Sequence, residues 1–206
     1  PALLILSDGI GFLTWEHTAP HRHRIGRYRL QSKIILTVSA VLIAFPTLFF
    51  FFFEFTDGTV GQRLLDAFFQ TVTPRTAGFN TVDLAAIQGA SRAHVVVLML
   101  IGGATGSTAG GMKVNTVGVL FANLGAIFRR RNEVEAFGRR IDPATVRQAA
   151  VIVTMYLTLF IGGGVAISAI EGLPIGFCLY ESASAVATVG LTLGITPSLG
   201  VASQLI

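Results

Sequence analysis

The chain has 206 residues, 52% of them hydrophobic and only 13% charged, with mean hydropathy +0.68 and a net charge of +4. A soluble domain is about 25% charged. Residues 34–53, 95–112, 148–170 and 182–206 contain no Asp, Glu, Lys or Arg, and about 20 such residues cross the roughly 30 Å hydrocarbon core as a helix. A soluble enzyme is excluded. The basic pI near 9.8 does not indicate nucleic acid binding, because eleven of the fifteen basic residues sit in two short segments. These are Arg22, Arg24, Arg27, Arg29 and Lys33, and Arg129, Arg130, Arg131, Arg139, Arg140 and Arg147. They mark cytoplasmic loops by the positive-inside rule, a face on which a regulatory partner could also dock. The single Cys178 offers neither a disulfide framework nor a metal cluster. His17, His21, His23 and His94 lack ligand-like partners and read as loop or interface residues.

In chain order, residues 1–15 read as the end of a helix or loop, without a signal peptide, as if the chain began inside a longer protein. Residues 16–33, with Pro20 and Gly26, read as a cytoplasmic loop. Ile34 to Phe53 is an apolar run that ends in five phenylalanines before Glu54 and Asp57-Gly58. It reads as a span from inside to outside, kinked at Pro46. Gly61 to Val72 contains Arg63 and Asp66 and makes only about three helical turns before Thr73-Pro74-Arg75-Thr76-Ala77-Gly78-Phe79-Asn80-Thr81. Too short to cross, and ending in turn-formers, it fits a re-entrant pore loop, since irregular backbone at membrane depth must line a cavity or be buried in protein.

Ala93 to Phe128 is the opposite anomaly, 36 residues with one internal charge, Lys113. A straight helix of that length is about 54 Å long, more than the core requires. Gly102, Gly103, Gly106, Gly110 and Gly111 fall within ten residues in its middle, at about 1 kcal/mol each against alanine, so the helix is predicted to break there. After the basic loop 129–147, a span runs from about Gln148 to Ile170, followed by an outer turn at Glu171-Gly172-Leu173-Pro174. Ile175 to Ala187 is again a short apolar helix, ending in Thr188-Val189-Gly190-Leu191-Thr192-Leu193-Gly194. Pro197 closes that loop, and 201–206 begin a further apolar segment.

These pieces repeat: basic loop, span, acidic outer turn, short helix, Thr-x-Gly apex. The apices Thr76-Ala77-Gly78 and Thr188-Val189-Gly190 are offset by 112 residues and the span starts by 114, which points to an internal repeat of about 110 residues. A potassium filter replaces the ion's hydration shell with inward-pointing backbone carbonyls, and glycine supplies the unusual backbone angles this needs. The alternative at Gly78 and Gly190 is a simple helix cap. The stretch 102–111 misses the phosphate-loop pattern, because Met112 separates Gly111 from Lys113. It reads instead as a mid-membrane gate, or as small residues packed against another helix. Lys113 either repels cations or pairs with a carboxylate near that gate, or it snorkels to the interface. Arg75 is expected behind the first apex as a brace paired with Asp66 or Asp83. Asp66 and Glu181 either enrich cations or anchor the short helices. An ion-coupled secondary transporter with broken helices is the competing reading, although 101–112 offer it no charged residue.

Three motifs carry a family resemblance: Arg75 with Thr76–Thr81, the stretch Ile101–Lys113, and Thr188–Pro197. Together they resemble the Trk/Ktr/HKT superfamily of potassium transporters, most closely the Ktr-type membrane subunit, here its third repeat and most of its fourth. Gly9-Ile10-Gly11-Phe12 resembles the segment that closes the second repeat. The resemblance implies an all-α, multi-pass protein of the bacterial plasma membrane, built from span–pore helix–filter–span units. Residues 1–33 then end a preceding repeat, 34–128 form the third, 129–147 a cytoplasmic loop, and 148–206 a fourth repeat without its second span. It also implies K⁺ as the transported ion, bound by backbone carbonyls at Thr76, Ala77, Gly78 and Phe79 and at Thr188, Val189, Gly190 and Leu191. The implied gate comprises Gly102, Gly103, Ala104, Thr105, Gly106, Ser107, Thr108, Ala109, Gly110, Gly111 and Lys113. Na⁺ is a possible activator and no organic cofactor is expected. The implied partners are lipid, a second copy of the chain in a homodimer, and a cytoplasmic ring of nucleotide-binding (KtrA-like) regulatory subunits.

Overall fold

The computed structural model describes residues 2–19 and 28–204. Arg22, Arg24, Arg27, His21, His23, Pro20 and Gly26 lie outside the described residues, as do positions 205 and 206. Nine α-helices make up most of the rest: α1 (Ala2–Ile10), α2 (Phe12–Thr18), α3 (Leu30–Phe53), α4 (Val60–Val72), α5 (Gly89–Leu100), α6 (Val114–Phe128), α7 (Pro143–Glu171), α8 (Ile175–Val186) and α9 (Val201–Gln204).

Capping residues set the helix ends. The Thr59 hydroxyl accepts from the Gln62 N–H at the start of α4, and Pro74 follows its end by two residues, where a missing N–H prevents another turn. Asp142 caps α7, accepting from the Ala144 N–H at 3.0 Å with Pro143 in the first turn. Gly172, at φ +68, closes it in the left-handed conformation. Both long helices therefore start earlier than their charge-free runs, at Leu30 and Pro143 rather than Ile34 and Gln148. Helix α3 continues through Pro46. The helix predicted over 93–128 is broken, into α5 and α6. The basic loop 129–147 holds a feature absent from the sequence reading. Glu135–Ala136 and Arg139–Arg140 pair antiparallel across Phe137 and Gly138, whose positive φ angles of +52° and +70° suit a two-residue hairpin turn.

The long helices α3 and α7 are long and apolar enough to cross a membrane, and little of either is buried inside the protein: 33% and 11% of their apolar windows. Val41, Phe45, Leu48, Phe52 and Phe53 on α3, and Val151, Met155, Leu159, Ile161 and Val165 on α7, are more than half exposed. Apolar surface on that scale has no place in water, whereas hydrocarbon solvates it at no cost.

Each long helix carries a short one. Helix α4 packs on α3, and α8 on α7. The Thr47 and Thr71 hydroxyls bond at 3.2 Å in the buried α3–α4 contact. Arg63 donates from Nη2 to the Phe51 carbonyl at 3.0 Å and from Nε to Phe55, and lies 4.6 Å over the Phe51 ring. A cation at the C-terminal end of α3 meets the negative end of the helix dipole. In the second pair the Ser182 hydroxyl donates to the Phe160 carbonyl at 2.8 Å. Between the pairs, α5 packs on α8 and α6 bridges α3 and α7, around a core that includes Phe50, Val95, Leu98, Met99, Tyr180, Ala183 and Val189.

Close approach at a glycine fixes the contact of α7 with α8. A Cβ at Gly164 would lie 2.6 Å from Leu179 Cδ2 and 3.1 Å from Leu179 Cα. We therefore expect Gly164→Leu to separate α7 from α8 and cost about 1–3 kcal/mol. In thermal unfolding of the full-length protein in detergent it should lower the midpoint by several degrees, with Gly164→Ala intermediate. An unchanged midpoint for Gly164→Leu would contradict this packing.

Candidate functional site

Helices α4 and α8 each end in a Thr-x-Gly turn of the same backbone form. Thr76 has φ +66 and Thr188 φ +56; Gly78 has φ +68 and Gly190 φ +85. Ala77 and Val189 between them do not have positive φ. A β-branched residue in the left-handed region is a genuine outlier and costs about 1–3 kcal/mol, persisting only where its surroundings enforce it. The same outlier recurs at an offset of 112 residues. Alternating handedness also turns successive peptide planes the same way, the condition for neighbouring carbonyls to face one side.

The turn N–H groups bond backwards onto their own helices. Ala77 and Gly78 both donate to the Thr73 carbonyl at 3.2 Å, Thr188 to Ala185 at 3.0 Å, and Val189 to Ser184 at 2.8 Å. The carbonyls are left over. Among the described residues, those of Thr76, Ala77, Gly78, Thr188, Val189, Gly190 and Leu191 accept no hydrogen bond. Phe79 differs: its carbonyl accepts from the Thr73 hydroxyl and its side chain is 59% exposed. The two turns meet. A Cβ on Gly78 would lie 2.2 Å from the Val189 carbonyl oxygen, so only glycine fits there. A Cβ on Gly190 would meet nothing within 4 Å, and its φ alone calls for glycine.

Beyond the second turn, Val189, Leu191 and Leu193 are buried while Thr188, Gly190, Thr192 and Gly194 are exposed. This is the two-residue period of extended chain, visible in the sequence as three apolar residues spaced by Gly and Thr. Glu181 fastens this segment. Its carboxylate accepts from the Thr192 hydroxyl at 2.7 Å, the Leu193 N–H at 2.8 Å and the Thr196 hydroxyl at 2.6 Å. Of the two roles considered for Glu181, the geometry matches the anchor. A cleft of about 1150 Å³ opens between α7 and this turn, lined by Leu159, Gly163, Thr188, Gly190 and Thr192 among others.

The glycine-rich break is a folded loop rather than a kink. Ile101 and Met112 pair as neighbours, with Gly102 N–H to Met112 O and Met112 N–H to Leu100 O both at 2.9 Å. The chain leaves at Gly102, folds through 103–111 and returns beside its starting point. Close approaches explain the glycines: a Cβ at Gly102 would meet the Gly110 carbonyl at 1.8 Å, and one at Gly110 would meet Thr188 Oγ1 at 2.0 Å. The loop thus lies directly against the second Thr-x-Gly turn. It also touches the first, through Arg75.

Arg75 corrects the sequence reading. It is buried, yet it pairs with neither Asp66 nor Asp83; its Nη2 donates to the Gly102 carbonyl at 3.4 Å, and its Nε is buried without a partner. Lys113 likewise has no carboxylate partner. Its Nζ donates to the Ala109 carbonyl within the loop. Ser107 bonds to the Ala104 carbonyl at 2.7 Å and Thr105 to Asn115 at 2.7 Å, while Thr108 reaches Asp8. His94 stacks on Phe49 at 4.7 Å. Among the described residues no three His, Cys, Asp or Glu side chains group as metal ligands.

Residues 29–206 match the TrkH family, described as a cation transport protein. The chain is 36% identical to the potassium/sodium uptake protein NtpJ of Enterococcus hirae, over 98% of this chain and 47% of that protein. It is 35% identical to the Ktr system potassium uptake protein B of Bacillus subtilis, over 98% and 47%. The chain spans about half the length of these relatives. The potassium transporter TrkH from Vibrio parahaemolyticus shares the fold, with TM-score 0.72 at 20% identity over 92% of this chain and 42% of that one. The family is one of ion transporters rather than enzymes, and its members are multi-pass proteins of the bacterial inner membrane. On its residues 29–206 and its relatives alike, the chain belongs to the TrkH family of cation transport proteins.

Proposed function

We propose that the protein to which this chain contributes takes up K⁺ through a channel-like pore, down the ion's electrochemical gradient. The carrying observation is the pair of touching Thr-x-Gly turns, each with alternating φ and with carbonyls that accept no hydrogen bond. In this reading α4 and α8 are pore helices. The carbonyls of Thr76 to Phe79 and Thr188 to Leu191 replace water around the ion, and the four span–pore–span units of a complete protein supply four such turns. The Phe79 carbonyl is the weakest of these ligands, because Thr73 already engages it.

The loop 102–113 is the gate, placed against Thr188 and tied to Arg75. It presents mainly backbone, small side chains and the Lys113 ammonium, held to Ala109. A flexible barrier of this kind moves at low energetic cost compared with a packed helix. The relative that carries potassium and sodium in its name supports Na⁺ as a second ion to be tested, either permeant or activating. A homodimer seated on a cytoplasmic ring of nucleotide-binding subunits completes the proposal, with the Arg129–Arg147 face towards that ring. The competing symporter reading requires saturable uptake of an organic solute by the purified protein.

Two outcomes test the assignment in the full-length protein. Gly190→Ser has room for its side chain but not the φ for it, so it should fold and lower the K⁺/Na⁺ permeability ratio about tenfold, equivalent to about 1.4 kcal/mol of lost discrimination. Gly78→Ser collides with the Val189 carbonyl and should lose more. Reversal potentials in reconstituted membranes measure both, and a wild-type ratio in folded Gly190→Ser sinks the filter assignment. Deleting 104–109 should raise K⁺ flux into proteoliposomes several-fold; unchanged or lower flux from folded protein removes the loop as barrier.

A further inference from the structure

The tip of the glycine-rich loop is held by an element outside the filter and outside the loop itself. The end of α1 and the start of α2, joined by a tight turn at Gly11, make three bonds to it. Asp8 Oδ2 accepts from the Thr108 hydroxyl at 2.7 Å. The Gly9 carbonyl accepts from the Ala104 N–H at 2.8 Å, and the Phe12 N–H donates to the Gly106 carbonyl at 3.3 Å. Gly11, at φ +79, lets the turn come this close, since a Cβ there would lie 2.8 Å from the Thr105 carbonyl oxygen. These bonds reach loop positions 104, 106 and 108, its far end. The bonds from Ser107 to Ala104, Thr105 to Asn115 and Lys113 to Ala109 shape the loop within itself or against the start of α6. None of them reaches α1 or α2.

Of the three external bonds, two are backbone to backbone. Only Asp8–Thr108 is made by side chains, at 2.7 Å the shortest of the three. Both residues retain access to solvent, so breaking the bond strands no buried charge, as a releasable contact requires. Helix α2 leads from this turn towards the first basic segment, which the positive-inside distribution puts on the cytoplasmic side.

We propose that Asp8 is a positioning residue for the gate: its bond to Thr108 latches the loop tip in the blocking position, and its release is a step in opening. The proposal rests on the loop being the barrier, and the test separates the two. Passive Rb⁺ flux is measured in proteoliposomes of the full-length protein and of variants reconstituted in equal amounts. Asp8→Ala and Thr108→Val should each raise flux about tenfold, Asp8→Asn less because its amide oxygen still accepts, and the double variant no more than either single change. The K⁺/Na⁺ ratio should stay at its wild-type value in Asp8→Ala, which a general loss of packing would not allow. Ser7→Ala, whose hydroxyl bonds only within α1 to Leu4, should leave flux unchanged. In the chain lacking 104–109, Asp8→Ala should add nothing. If that deletion raises flux but Asp8→Ala does not, the latch is wrong and the barrier stands. If the double variant multiplies the single effects, Asp8 and Thr108 act separately and the latch is overturned. If the deletion itself leaves flux unchanged, the barrier reading falls and the latch falls with it.

Discussion

A peptide carbonyl kept from water without a donor costs free energy on the scale of a lost hydrogen bond, and at membrane depth several kcal/mol. The two Thr-x-Gly turns of this protein leave their carbonyls without a protein donor, because their N–H groups bond back onto α4 and α8. In the proposed pore a cation or a file of water satisfies them. The rest of the architecture keeps these oxygens in place. The Thr59 cap fixes α4, which precedes the first turn, and Asp142 caps α7, on which α8 packs. The Glu181 carboxylate grips the chain that leaves the second one. Gly78 permits a contact with Val189 that any side chain would forbid.

The glycine-rich loop follows from the same constraint. A helix running straight on from α5 would pass beside the turns without entering their axis. Breaking it, and pairing Ile101 with Met112, lets the chain depart and return beside its starting point. Contact with Thr188 through Gly110 and with Arg75 through Gly102 couples the loop to both turns at once. Arg75 stands out in this respect. A buried cation is costly unless negative charge compensates it, and the one bond the fold gives this one is to the Gly102 carbonyl rather than to a carboxylate.

Much of this was legible in the amino-acid order, because it depends on local chemistry. Charge-free runs located α3 and α7, five glycines in ten residues located the break between α5 and α6, and the Thr-x-Gly spacing located the turns. Helix starts were misplaced by four or five residues, because a charge-free run marks hydrocarbon whereas a cap such as Asp142 marks a helix. The hairpin at Phe137-Gly138 was missed for want of alternating apolar residues around it. What the sequence could not reveal are the long-range partners. Gly78 with Val189, Arg75 with Gly102 and Asp8 with Thr108 lie 111, 27 and 100 residues apart. Arg75 was assigned to carboxylates nearby in sequence, when a carbonyl brought in by the fold was its partner.

The central claim is that the free carbonyls of Thr76, Ala77, Gly78, Thr188, Val189 and Gly190 are ligands for K⁺. Anomalous diffraction from crystals of the full-length protein soaked in Rb⁺ or Tl⁺ tests it most directly. The account predicts anomalous peaks on the axis between the two turns, within coordination distance of these oxygens. Peaks confined to side-chain carboxylates elsewhere, with the same carbonyls hydrogen-bonded to protein donors, would contradict it.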